Sequence, residues 1–413
     1  MQRIYTLFLF VIFYVAVFSQ TRYKDDMFSI IKHGDIQYGS NFDSKNHLTN
    51  LLMDVYEPQL DTAHKRPLIF FIHGGSFVGG DRQDQAINKT AEFFAKKGYV
   101  TANIEYRLEQ TTFIDPIVDF ADTYNWHRAI ARATQDLKAA IRFFKKDVAT
   151  NNNLYGVDTT SIFVYGSSAG AITALHAIYL DDTLEMNSIF KIAYRETGGL
   201  DGNSGNAGYS STSGVKAVVS CSGAIFDLNC MNNNKNIDFL GFHNNPDFTV
   251  PFDIGCFVTV ACWLGNYYGG NKIFPKAKNI GAYAEFYPIN QAGHPADQVS
   301  DTASHRMILQ KTTDFLYRIV NASITTSVQN NIAKNVDVFP NPSSGDFTIN
   351  IPASLQQKNI QLQIFNTEGT EVYSAQIRNR DNVQLQLNLP NGIYVLSMNT
   401  TDENYLSKIT IVK

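Results

Sequence analysis

The chain is poor in several features that define other classes of protein. Only four cysteines occur in 413 residues, too few for a disulfide scaffold and without the paired spacing of a zinc site. Neither sign of charge dominates: 34 Lys and Arg against 38 Asp and Glu leave a formal charge of −4. A dedicated nucleic-acid binder with a basic face is therefore not expected. Twelve prolines and 27 glycines are ordinary contents, which excludes collagen-like and globally disordered chains. Long apolar runs are also missing, apart from one at the start. Residues 4–18 are apolar except for Thr6, with Arg3 before them and Arg22 after. Fifteen helical residues reach about 22 Å, short of the roughly 30 Å hydrocarbon core of a bilayer. Ser19 then supplies a small residue at a cleavage point. Residues 1–19 thus read as a secretory signal peptide, against the rival reading of an uncleaved anchor, and no stable membrane span is expected further on. Export permits disulfides. One is expected among Cys230, Cys256 and Cys262, whereas Cys221 lies in an apolar run and reads as a buried thiol.

What is present is apolar material, 44% of the chain, and enough length for two or three domains. From about residue 50 to 320, extended apolar runs alternate with helical patterns. The runs are 51–56, 68–73, 100–106, 161–165, 216–222, 237–242 and 284–289. Helical spacing falls at 91–97, 126–144, 169–179 and 305–320. Strands alternating with helices predict a mostly parallel sheet covered on both faces, an α/β fold. A Gly/Ser/Asn-rich stretch at 198–214 interrupts the pattern. It reads either as a functional lid or binding loop or as a disordered surface insertion. Residues 321–335 are polar without periodicity and read as a linker. Beyond them, residues 336–413 hold short alternating runs at 347–351, 360–365, 383–387 and 393–398, separated by turn signals. This predicts a small all-β sandwich. The tail contains no His and no Cys, so catalysis is expected elsewhere.

Four constellations carry chemistry. Gly166-Ser167-Ser168-Ala169-Gly170 is a G-x-S-x-G, a pattern that arises by chance in about one chain in ten of this size. Its setting is more telling, because a strand leads in and a helix leads out, the arrangement of a nucleophile elbow with Ser168 at its tip. His73-Gly74-Gly75-Ser76-Phe77 also follows a buried strand. Glycines there let backbone N–H groups approach a ligand oxygen, so Gly74, Gly75 and Ser76, together with Ala169, are candidates for an oxyanion hole. His73 itself reads as a structural residue of that loop. Asp247 follows the 237–242 run, where a carboxylate can orient a histidine; Asp253 and Asp227 compete for the role. His294, on a loop after the last strand, is the candidate general base, and His305 is the weaker alternative. The chain order Ser168, Asp247, His294 matches one of the three orders in which such triads occur.

On these stretches, together with Met53-Asp54-Val55-Tyr56, Tyr106-Arg107-Leu108, the 135–140 run and 247–251, the region 20–320 resembles the α/β-hydrolase superfamily. More closely it resembles its esterase and carboxylesterase branch with an HGG oxyanion loop. The resemblance implies a secreted serine ester hydrolase that needs no cofactor and no metal. Three residues depart from the family pattern: Ser76 for a third glycine, Ser167 for an acidic residue before the nucleophile, and Asn244 for a glycine. None removes a catalytic group, but they leave the subfamily open. An acetyl or feruloyl esterase of plant polysaccharide remains an alternative, as do a peptidase and a catalytically silent binding protein on the same scaffold. The tail, with Val338-Phe339-Pro340-Asn341-Pro342, Gly392-Ile393-Tyr394 and Lys413, is similar to the C-terminal sorting domain of the type IX secretion system of Bacteroidetes. This implies recognition by that machinery and a secreted or cell-surface location after passage through the periplasm. A carbohydrate-binding or adhesive β-module is the rival reading.

Overall fold

The computed structural model describes residues 20–109, 122–234, 236–298, 302–330, 334–367, 369–378, 380–400 and 404–413. Residues 1–19, read as a signal peptide, lie outside the described residues. The chain divides into two compact units, Met1–Val320 and Asn321–Lys413.

Apolar runs of the first unit form one eight-stranded sheet: β1 (Ile30–Phe42), β2 (Leu48–Pro58), β3 (Arg66–Ile72), β4 (Val100–Ile104), β5 (Val157–Ser167), β6 (Val215–Cys221), β7 (Asp238–Asn244) and β8 (Ala284–Ile289). Their spatial order is β1-β2-β4-β3-β5-β6-β7-β8. β1 and β2 pair antiparallel, as do β2 and β4, and every pairing from β4 to β8 is parallel. Side chains alternate across a strand, and β3 shows the consequence. Leu68, Phe70 and Ile72 join the core beneath α2 (Thr123–Thr150), α3 (Ala169–Tyr179), α4 (Ser188–Thr197) and α5 (Gly270–Asn279). Ile69 and Phe71 join the core beneath α1 (Gln85–Ala95) and α6 (Thr302–Asn330). Both faces of the sheet are covered, as the near-continuous hydrophobicity of its central strands requires.

Three elements escape the periodicity. β1 is an edge strand with only Tyr38 buried, so it has no apolar alternation to read. α4 is amphipathic but short, and α5 carries Pro275 in its interior. Two expectations need correction. α6 runs to Asn330, so much of the stretch expected as an irregular linker is helical. Residues 321–330 contain neither Gly nor Pro, and extending an existing helix costs far less than starting one. The 198–214 segment is an ordered part of the fold and not a disordered surface insertion. It is pinned to α2 through its own carbonyls: Gln135 donates to Gly199 O (2.6 Å), Lys138 to Leu200 O (3.1 Å), and Arg142 to Asp201 O (2.9 Å) and Gly205 O (3.0 Å). Ser204 and Ser211 are buried within it.

The second unit has two sheets. One is ordered β9 (Lys334–Asn335), β16 (Asn404–Ile411), β15 (Gly392–Asn399), β12 (Ile360–Asn366), β13 (Glu371–Ile377). The other is ordered β10 (Val338–Phe339), β11 (Asp346–Asn350), β14 (Asn382–Gln386). Phe347 and Ile349 of the second sheet share a core with Leu362, Ile364, Leu396 and Ile409 of the first, which is the small β domain expected.

Candidate active site

Ser168 stands between β5 and α3 with φ 54° and ψ −120°, a conformation costing about 1–3 kcal/mol in a residue with a Cβ. The turn is possible because its flanks are bare: a Cβ on Gly170 would lie 2.1 Å from Ile72 O. The Ser168 N–H donates to Cys221 O (2.9 Å), which fixes the tip over the sheet. Ser168 Oγ then lies 2.7 Å from His294 Nε2, and His294 Nδ1 lies 2.8 Å from Asp247 Oδ2. An ionised carboxylate can only accept, so Nδ1–H donates to Asp247 and Nε2 is left to accept from the serine.

Asp247 is buried and heavily supplied with donors. Its Oδ1 accepts the N–H groups of Thr249 (2.8 Å) and Val250 (3.0 Å). His243, next to the end of β7, brings its Nε2 to 3.4 Å from Oδ2. Gly270 N–H donates to His243 Nδ1 (3.4 Å), which leaves the proton on Nε2 and facing Asp247 and Val250 O (3.2 Å). Burial alone pushes the Asp247 carboxyl up. The hydrogen bonds from His243 and His294, the charge of His294 and the Thr249 N–H outweigh it and hold the group well below the usual carboxylate range. The competing residues are occupied elsewhere. Asp253 pairs with Lys272 (3.0 Å), Asp227 caps a short 3-10 helix, and His305 bonds Asp297 O (3.2 Å).

The HGG loop packs against Ser168. A Cβ on Gly74 would come within 3.1 Å of Ser168 Cβ. Val78 and Gly79 N–H both donate to Gly75 O at 3.0 Å, and Ser76 and Phe77 have φ of 53° and 64°. His73 stacks on Tyr106 with ring centroids 4.4 Å apart and bonds Gly74 O through Nδ1 (2.7 Å). Burial lowers its pKa, so it stays neutral and braces the loop. Two hollows meet at Ser168. One, of about 460 Å³, is walled by apolar side chains including Trp126, Ile172, Val250, Phe257, Val260 and Leu264, with Ser76 and Ala169 at its inner end. The other, of about 290 Å³, is more polar than the first and is bordered by His294, Gln298, Asp84 and the HGG loop.

Sequence reasoning missed three contributors. Asp297, buried three residues beyond His294, accepts from Ser167 Oγ (2.7 Å) and Tyr165 OH (3.1 Å). It ties the elbow to the histidine loop from beneath, and burial raises its pKa against those bonds. Its nearness to His294 in sequence is the only signal it leaves. His243 is visible four residues before Asp247, but its partner Gly270 is not. The Cys256–Cys262 disulfide is one of the pairings left open, and the loop it closes proves to be a wall of the apolar hollow. Cys221 and Cys230 are buried free thiols. Among the described residues, no cluster fit to hold a metal ion occurs, and no helix is long and apolar enough to cross a membrane.

Two regions of the chain match known families. Residues 53–249 match the BD-FAE family, and residues 337–413 match the family described as secretion system C-terminal sorting domain. The chain thus carries a domain of BD-FAE esterase type and ends in a type IX sorting domain. Over 155 residues it is 26% identical to Gut esterase 1 of Caenorhabditis elegans, covering 38% of this chain and 24% of that protein. Over 123 residues it is 28% identical to Carboxylesterase 3B of Mus musculus, covering 30% and 19%. The matching stretch thus spans about a quarter or less of these curated relatives. Thermogutta terrifontis esterase 2 is a similar solved structure, 20% identical with a TM-score of 0.47, over 69% of this chain and 94% of that one.

Proposed function

We propose that the protein is an exported serine carboxylic-ester hydrolase acting by two-step acyl transfer. The observation that carries the reading is the unbroken line Ser168–His294–Asp247, at 2.7 and 2.8 Å, opening onto a 460 Å³ apolar hollow. Ser168 Oγ attacks the ester carbonyl as His294 Nε2 takes its proton. Asp247 stabilises the imidazolium without taking the proton itself. The developing oxyanion is received by the N–H groups of the HGG loop (Gly74, Gly75, Ser76) and of Ala169, where each well-placed donor is worth about 10²–10³ in rate. His294 then protonates the departing alcohol, and water attacking the acyl-serine releases the acid by the reverse route. No metal or organic cofactor enters these steps. The tail, matched as a sorting domain, would hand the protein to the type IX machinery for release or display at the surface.

The test is hydrolysis of p-nitrophenyl esters by the mature protein and its Ser168→Ala variant. Loss of a nucleophile of this kind costs about 10⁴–10⁶ in kcat. A variant retaining the parent rate would overturn the assignment of Ser168. An amide assayed beside its matching ester separates an esterase from a peptidase.

A further inference from the structure

Resting on the hydrolase reading above, we infer that the loop closed by the Cys256–Cys262 disulfide is the wall that sets acyl length, and that the site takes esters of apolar acyl groups longer than acetyl.

Which half of the ester enters which hollow follows from where the acid stands. The alcohol must leave beside His294, which protonates it, and His294 borders the more polar cleft and not the apolar hollow. The acyl chain is therefore directed to the apolar side, where each methylene withdrawn from water is favourable. That hollow is far larger than an acetyl group needs.

Its outer wall is thin. Val258 and Val260 line the hollow, yet they are 56% and 69% exposed, so nothing packs behind them. Besides the loop's own bonds from Ala261 N–H to Phe257 O (3.0 Å) and Cys262 N–H to Val260 O (2.8 Å), three features anchor them. Phe257 sits between Trp126 (4.8 Å) and Tyr267 (4.4 Å). Val258 N–H donates to Thr249 O (2.8 Å). The disulfide closes the ring around residues 257–261. Val258 and Thr259 both have positive φ, 50° and 58°, a conformation that β-branched residues avoid and that ring closure keeps in place. The hydrogen bonds of the Ser168, His294 and Asp247 line do not pass through this ring. Opening it alters where the acyl chain ends and leaves the reacting groups in place.

The experiment measures kcat/KM for p-nitrophenyl acetate, butyrate, octanoate and decanoate with the parent, with Cys256→Ser/Cys262→Ser, and with Val260→Ala. In the parent, butyrate should exceed acetate. The decanoate-to-butyrate ratio should rise roughly tenfold in the double variant and by less in Val260→Ala, in keeping with the worth of a few methylenes in an apolar pocket. Ratios unchanged in both variants would overturn the wall. If the double variant fails to fold, Val260→Ala decides alone. A folded parent that hydrolyses none of the four esters removes the hydrolase reading and this inference with it, an outcome distinct from an active enzyme with an unmoved profile.

Discussion

Two segments outside the sheet, 198–214 and 248–264, exchange the roles their compositions suggest. The first is rich in Gly, Ser and Asn and has the look of a mobile flap, yet it lies clamped on α2. The second is apolar, with Phe248, Ile254, Val258, Val260 and Trp263 all more than half exposed, and it forms the wall of the hollow beside Ser168. Composition reports what a segment's side chains prefer. It does not report what its backbone is needed for. Lys138 and Arg142 are buried on α2, and buried cations must find acceptors. The 198–214 segment supplies carbonyls, with few bulky side chains to obstruct them. The apolar segment has no such obligation and is held by Asp247 at its base and by a disulfide further on.

The largest expected effect tests the clamp. Arg107 and Asp136 form a buried pair at 2.8 Å, and both bond Ser204 Oγ of the clamped segment. Asp136→Asn leaves a buried guanidinium without its counter-charge, a loss of about 3–5 kcal/mol readable by urea denaturation. The order of preference among acyl chains should not move, because this segment does not reach the hollow. A changed preference at reduced stability would mean that the two segments are coupled and would break the comparison.

Between these extremes lies the 294–298 segment, which touches both chemistry and scaffold. Asp297 is a positioning residue: its bond to Ser167 fixes the distance between the elbow and the histidine loop. Asp297→Asn keeps one acceptor oxygen and the side-chain volume but cannot accept from both Ser167 and Tyr165. We expect kcat to fall about tenfold, some 1.4 kcal/mol, with KM nearly unchanged, since neither hollow loses a lining group. A rise in KM at constant kcat would place the role of Asp297 in substrate binding instead.

Much of this architecture can be read along the chain, and the rest is hidden for physical reasons. The central strands declare themselves because burial on both faces demands continuous apolar residues. Ser168, Asp247 and His294 can be found because each stands just past a strand end. β1 is silent because an exposed edge has no pattern to keep. Asp297 is silent because its partners, Ser167 and Tyr165, lie far off in sequence, and His243 shows its nearness to Asp247 but not its contact with Gly270. The helix through 321–330 is hidden because its sequence has no apolar stripe and simply continues a helix already begun. Ser167 illustrates the same limit. Read alone, it is a departure from the acidic residue expected before the nucleophile, but the fold returns a carboxylate to that spot from Asp297.

The smallest effect is the sharpest test of the comparison. Ala207 and Gly208 are the exposed tip of the clamped segment, and a Cβ built on Gly208 meets nothing within 4 Å. One glycine inserted between them lengthens a surface loop, whose closure cost grows only as the logarithm of its length, so stability should change by less than about 0.5 kcal/mol. Acyl preference should be identical to the parent's across the acetate-to-decanoate series. The same insertion between Val258 and Thr259 falls inside the disulfide ring and adds backbone where Val258 and Val260 end the hollow. There the preference should shift even if stability does not. Insertions that move the profile equally at both sites would show that flexibility anywhere near the domain's rim governs specificity, and the distinction between a clamped loop and a working wall would fall.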